Sequence, residues 1–230
     1  MTVHDEVGAT VPAMDDATAA LVRLSASITA GSDEAVRGAL ADCVTARVSA
    51  RWLEELVLQS YLFAGFPRAL NAAREWRRLG GRSAAGKAES GATVAAEQSE
   101  GEDSSYADVF EWRLRGEETC STVYGRNYDK LRENIRALHP LLDDWMIVEG
   151  YGKVLSRPGL DLVRRELCII AACTAAAQDR QLQSHFHGAL NAGASVALVT
   201  STLHALEGAV REVDLLRARQ LWERVQSMKS

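Results

Sequence analysis

Apolar positions recur along the chain at intervals of three and four rather than two, the period of one helix face and not of a strand. Alanine is abundant and proline rare, with four prolines in 230 residues. The pattern predicts an all-α protein with helices over 15–30, 33–43, 48–61, 67–78, 106–115, 127–137, 141–153, 160–177, 179–192, 195–207 and 211–227. The clearest start signals are Ser32-Asp33 ahead of Glu34, and Pro158-Gly159 ahead of Asp161. A side-chain oxygen at such a position can accept from the free amides of a first turn.

One stretch breaks the period. Residues 80–105 read GGRSAAGKAESGATVAAEQSEGEDSS, with Val94 as the only large apolar side chain. Such a composition buries too little surface to offset the entropy of ordering, which predicts a flexible linker. The linker divides the chain into an N-terminal helical half, 1–79, and a larger C-terminal half, 106–230. The halves carry a trace of duplication. At an offset of 150, Gly38-Ala39-Leu40 matches Gly188-Ala189-Leu190, each after a helix of similar apolar spacing. Two related halves would pack through shared faces, as a pair of subunits does.

Charge narrows the classes of partner. With 26 Lys and Arg against 31 Asp and Glu, the net charge of −5 gives no electrostatic footprint for nucleic acid or an anionic membrane surface. The opening MTVHDEV places acids where a signal peptide needs a basic stretch, and the longest nearly apolar run, 167–177, is about half of the ~20 residues a spanning helix needs. A soluble, cytoplasmic protein is expected. The four cysteines, Cys43, Cys120, Cys168 and Cys173, form no CxxC and no zinc-type pairing with histidine. Cys168 and Cys173 diverge by ~140° around a helix. Reduced core thiols are expected, with Cys120, at a segment boundary, the candidate for exposure.

The most informative segment, 151–193, reads YGKVLSRPGLDLVRRELCIIAACTAAAQDRQLQSHFHGALNAG. Glu166 stands near the start of an apolar helix, and Gln178, Gln181 and His185 follow at separations of three and four, on one face of the next. Gly188 and Ala192 continue that face and leave room for a neighbour, while Leu182, Phe186 and Leu190 form a core stripe. A polar stripe beside small residues fits a pocket wall. His185 and His187 point ~200° apart on a helix and do not make a metal pair. Taken singly, Glu166 also suits a structural role near a helix N-terminus beside Arg164 and Arg165, and His185 that of a half-buried core histidine. Their combination is what points to chemistry.

The run GYGKVLSRPGLDLVRRELCIIAA followed by HFHGALNAG resembles the carboxymuconolactone decarboxylase family, which is related to the alkylhydroperoxidase-D-like proteins. VYGRNYDKLRENIRALHPLLDDW at 123–145 resembles the same family, and EELVLQSYLFAGFPRALNA at 54–72 its later helix with an Ala-Gly-Phe-Pro turn. The resemblance implies an alkylhydroperoxidase-D-like all-helical fold assembled as trimers or hexamers of family-sized units. The peroxidase branch places Glu, then CxxC, then His, and those cysteine positions fall here on Gln178 and Gln181. Without sulfur no disulfide can form or exchange, so thiol peroxidase chemistry is not expected.

What remains is the Glu and His of the decarboxylase branch. The resemblance implies cofactor-free decarboxylation of a small anionic lactone, with Glu166 and His185 catalytic. Gln178, Gln181, His187, Arg164 and Arg165 are then the substrate-binding candidates, and no metal is called for. His187 stands where many such members are expected to carry arginine. A related lactone or dienoate isomerase, or a non-catalytic assembly module, fits the same residues. At the 150-residue offset Asp16 takes the place of Glu166, Ala35 that of His185 and Arg37 that of His187, so only the C-terminal half is expected to keep a site.

Overall fold

The computed structural model describes residues 14–81 and 109–227, so all of the expected linker beyond Gly81 lies outside the described residues. Four helices come first: α1 Asp16–Ala30, α2 Asp33–Thr45, α3 Ala50–Ala64 and α4 Phe66–Arg78. After the interval come α5 Val109–Tyr124, a 3₁₀ turn Gly125–Asn127, α6 Tyr128–Leu138 and α7 Pro140–Trp145. Helix α7 runs on into a π-helix, Met146–Leu155, and α8 Leu162–Ala175, α9 Asp179–Asn191, α10 Val196–Ala205 and α11 Glu212–Ser227 complete the order. The described residues contain no strand, as the three-and-four period predicts.

Local chemistry fixes the helix starts. Asp15, Ser32, Ser49, Asp161 and Ser195 each accept from a first-turn amide and so satisfy a donor that has no partner inside its helix. Two expectations fail. Helix α5 does not stop at 115 but continues to Tyr124, so Cys120 lies within a helix and is buried rather than exposed. The region 146–155 is π-helical, with wide turns such as Ser156 N–H to the Tyr151 carbonyl. One close packing accounts for both. A Cβ on Gly116 would lie 2.2 Å from the Ile147 carbonyl oxygen, and one on Gly152 would lie 1.9 Å from that of Trp112. The glycines let α5 and the π-helix meet backbone to backbone, and α5 persists through Gly116 because that contact stabilises it.

The duplication is real, but its offset is 146. Helix starts pair as 16/162, 33/179, 50/196 and 66/212, and caps as Asp15/Asp161 and Ser49/Ser195. The turn after the second helix repeats bond for bond. Val48 N–H donates to the Cys43 carbonyl as Ala194 N–H donates to that of Ala189, with Arg47 and Gly193 both at positive φ. The Gly-Ala-Leu match at 150 is a slip of about one helical turn, which keeps an apolar stripe in phase and so looks plausible in sequence. In the true register Ala20 stands for Glu166, Ala39 for His185 and Ala41 for His187.

The equivalent helices α1 and α8 pack against each other at the centre. Each feeds two apolar clusters, one gathered on α1–α4 with Leu160 and Cys168, the other on α5 and α8–α11 with Val22 and Ala26. The Ser25 hydroxyl donates to the Cys168 carbonyl across this junction at 2.7 Å. Beside it Arg165, fully buried, donates to Glu55 (2.8 Å), to the Gln59 side chain and to two backbone carbonyls, while Gln59 Nε2 returns a bond to the Arg165 carbonyl. This network ties α3 to α8.

Candidate active site

Helix α8 brings Glu166 inward from its second turn, and α9 lays His185 over it. His185 Nδ1 and Glu166 Oε2 are 2.8 Å apart, with the histidine 5 % exposed and the glutamate 0 %. The contact occupies Nδ1; donating from it to the carboxylate leaves Nε2 as the nitrogen for chemistry. Gly188, one turn beyond His185, makes the approach possible. A Cβ there would stand 2.6 Å from Glu166 Oε2 and 2.7 Å from Val123 Cγ1. The other carboxylate oxygen, Oε1, is buried and has no hydrogen-bond partner among the described residues. A buried oxygen left unpaired costs free energy, and such groups concentrate where a ligand completes the set.

Behind the pair lie two tyrosines. Tyr124 on α5 and Tyr151 on the π-helix set their rings 6.3 Å apart and nearly perpendicular. Burial, the hydroxyl contact between them and the charge of Glu166 act on both, and the balance pushes Tyr124 up to about 12 and Tyr151 well above its ordinary value. Both therefore stay protonated at neutral pH. Burial likewise pushes the Cys43, Cys120 and Cys173 thiols up to about 12, and Cys168 higher still. None is an activated thiolate.

Phe63 at the end of α3 sets its ring against the imidazole, with centroids 5.8 Å apart and planes at 82°. This contact crosses from the N-terminal half. Phe63, Glu55 and Gln59 lie in the 54–72 stretch that resembles the family, but their partners are far along the chain and the resemblance gives them no role.

The remaining candidates are dispersed. Gln178 is the N-cap of α9 without a side-chain capping bond, and Gln181 is one turn before His185; both are exposed. The stripe therefore runs from solvent at Gln178 to the interior at His185. His187 is half-buried. Arg164 bonds Asp161, Asp15 and Thr18 and lies over the Trp52 ring at 4.2 Å. Arg165 spends its donors on the network with Glu55 and Gln59, where burial pulls its guanidinium down and Glu55 opposes that. Two open clefts, of about 550 and 650 Å³, lie elsewhere: one between Trp52, Thr119 and the 155–162 loop, the other over Ser195–His204. Among the described residues no three His, Cys, Asp or Glu side chains gather to hold a metal, and no helix is long and apolar enough to cross a membrane.

The sequence model of the carboxymuconolactone decarboxylase family matches residues 2–78 and 144–209, more than half of the chain. The protein belongs to the carboxymuconolactone decarboxylase family. The first segment takes in α1–α4 and the second the π-helix and α8–α10, so the chain is a two-part member of that family, without a CxxC pair. Glu166 and His185 lie in the second segment, and the first carries buried Ala20 and Ala39 in their places. No curated protein matches the chain. For a carboxymuconolactone decarboxylase family member, a buried Glu–His pair with one free imidazole nitrogen is an arrangement able to carry a proton to or from a bound molecule.

Proposed function

We propose that the protein is a cofactor-free carboxy-lyase acting on a small anionic lactone. The observation that carries this reading is the 2.8 Å contact of His185 with Glu166 at a buried site. In the proposed step the bond from the ring carbon to its carboxylate breaks, carbon dioxide leaves, and the electron pair passes into the conjugated lactone carbonyl. Protonated His185 then gives its Nε2 proton to carbon and is reprotonated from solvent. Glu166 stabilises the imidazolium, and general acid catalysis of this kind contributes ~10²–10⁴ in rate. Gln178 and Gln181 offer neutral hydrogen bonds on the approach, and His187 stands two residues beyond His185.

Arg164 and Arg165 are each held by protein acceptors. That favours, as second reading, a lactone or dienoate isomerase, which needs the same proton shuttle and no cation for a departing carboxylate. Thiol peroxidase chemistry finds no support, because Gln178 and Gln181 occupy the CxxC positions. Assembly as a homo-oligomer, a trimer or hexamer, is part of the proposal; exposed Leu138, Leu141, Leu142 and Trp145 offer apolar surface for it.

The test follows the ultraviolet loss of 4-carboxymuconolactone together with carbon dioxide release, without added metal or thiol. Wild type is expected to turn over and His185→Ala to be inactive with its assembly intact. Full turnover by the variant would refute the mechanism, and release of no carbon dioxide from a consumed lactone would select the isomerase.

A further inference from the structure

Resting on the reading of Glu166–His185 as the reacting pair, we infer that Phe63, supplied by the N-terminal half, is the residue that decides what reaches His185. Three observations lead there. The imidazole is nearly closed to solvent, and neither open cleft includes it. Its Nδ1 is taken by Glu166, so a molecule must come to Nε2. Against the same ring stands Phe63, itself only half-buried, at the last turn of α3 before Gly65, whose φ of +82° turns the chain into α4.

The repeat gives this contact independent weight. At the 146 offset Glu166 and His185 correspond to Ala20 and Ala39, and Phe63 counts to Ala209, in the turn beyond α10, which ends at Ala205. The Glu–His pair and the ring against it are present on one side of the junction; on the other the pair is two alanines and no helix reaches the position of the ring. The anchoring network follows the same rule. Arg165, Glu55 and Gln59, one and two turns back along α3, correspond to Ala19, Ser201 and Ala205. The buried arginine therefore sets the position of α3 on α8, and α3 sets Phe63 on His185.

The N-terminal half has lost its own pair yet remains part of the site as its wall. A flat, half-exposed aromatic ring at that place admits small or planar unsaturated acids and turns away branched ones. Swinging the ring out widens access.

The experiment needs no substrate. Diethyl pyrocarbonate acylates the free nitrogen of neutral histidine, and peptide mass spectrometry gives the rate at each site. Exposed His139 and His204 serve as internal references. Rates are compared on the high-pH plateau, so that a change in titration does not count. In wild type His185 is expected to react about tenfold or more slowly than the references. Phe63→Ala should raise the His185 rate about tenfold, Phe63→Leu less, and Phe63→Tyr little, with reference rates unchanged. An unchanged His185 rate in Phe63→Ala and Phe63→Leu, both helical and cooperatively folded, would overturn the inference. If Phe63→Ala does not fold, Phe63→Leu against Phe63→Tyr decides by the same criterion. Because the readout is acylation, a protein inactive on the lactone refutes the decarboxylase reading and leaves this test intact.

Discussion

Asp15 and Asp161 lie 146 residues apart, cap equivalent helices, and reach one guanidinium, that of Arg164, at 3.2 and 2.7 Å. The first helices of both repeats start side by side and cross along the centre of the molecule. The relation is exact in helix starts and broken in chemistry, since Arg164 itself corresponds to Thr18, which accepts its Nε–H.

The two caps should therefore behave alike. Asp15→Ala and Asp161→Ala are each expected to cost ~1 kcal/mol, as for other N-caps. The ion pairs add little, because the three side chains are a quarter to a half exposed and are screened. Arg164→Met should cost about 1 kcal/mol or less at low salt, with most of what survives high salt coming from its contact over Trp52. Urea denaturation at two ionic strengths checks all three.

The buried network is a different case. Arg165 is fully enclosed and Glu55 nearly so. Arg165→Met leaves Glu55 with Arg157 at the edge, whereas Glu55→Leu leaves a guanidinium in the core with only neutral acceptors. Each single change is expected to lose ~3–5 kcal/mol, and the double change to recover much of it. A double-mutant cycle in denaturant measures the coupling. Additive losses would show that the residues do not act as a unit.

How far this could be read in advance depends on the range of each interaction. Helix class and most starts were legible, since period and caps such as Ser32 and Asp161 act within one turn. Glu166 and His185 stood out through their spacing across two helices. The 150-residue offset failed because a helix face nearly repeats after four residues, so Gly38-Ala39-Leu40 matched one turn out of place. The continuation of α5 past Gly116 rests on a contact with Ile147, and the role of Phe63 on one with His185. Both join distant segments, and no local pattern encodes them.

Acid should unfold the protein through particular carboxylates. The Arg132 bond holds Asp143 below the ordinary aspartate value against burial, with Arg136 adding to it; Arg211 and then Arg217 do the same for Asp214. Depressed folded values mean that the unfolded chain binds more protons in this range, so stability rises with pH there. The contribution is complete above about pH 5 and is lost as pH falls below about 4 toward the folded values. Asp143→Asn and Asp214→Asn should each lower stability at neutral pH and flatten the acid limb. Denaturant midpoints measured from pH 7 down to pH 3 would show this, and a variant limb as steep as wild type would assign the acid sensitivity to other groups.

Gly188 and Glu166 should prove to be one device. A methyl at 188 falls on Glu166 Oε2 and Val123 Cγ1, so Gly188→Ala must push the carboxylate off Nδ1. Overpacking of this kind costs ~1–3 kcal/mol of stability. Glu166→Gln keeps the shape and removes the charge that stabilises the imidazolium. Under the proposed mechanism, either change reduces kcat/KM on the lactone by ~10²-fold or more. Because both act through the same oxygen, the double variant should lose hardly more than the worse single one. Nitrogen-15 spectra of the imidazole give a readout independent of turnover. Wild type should show the proton fixed on Nδ1, and Gly188→Ala a mixture of tautomers. A Gly188→Ala protein that keeps both the fixed tautomer and full turnover would mean that the helices part readily, and that the glycine is not what holds the pair together.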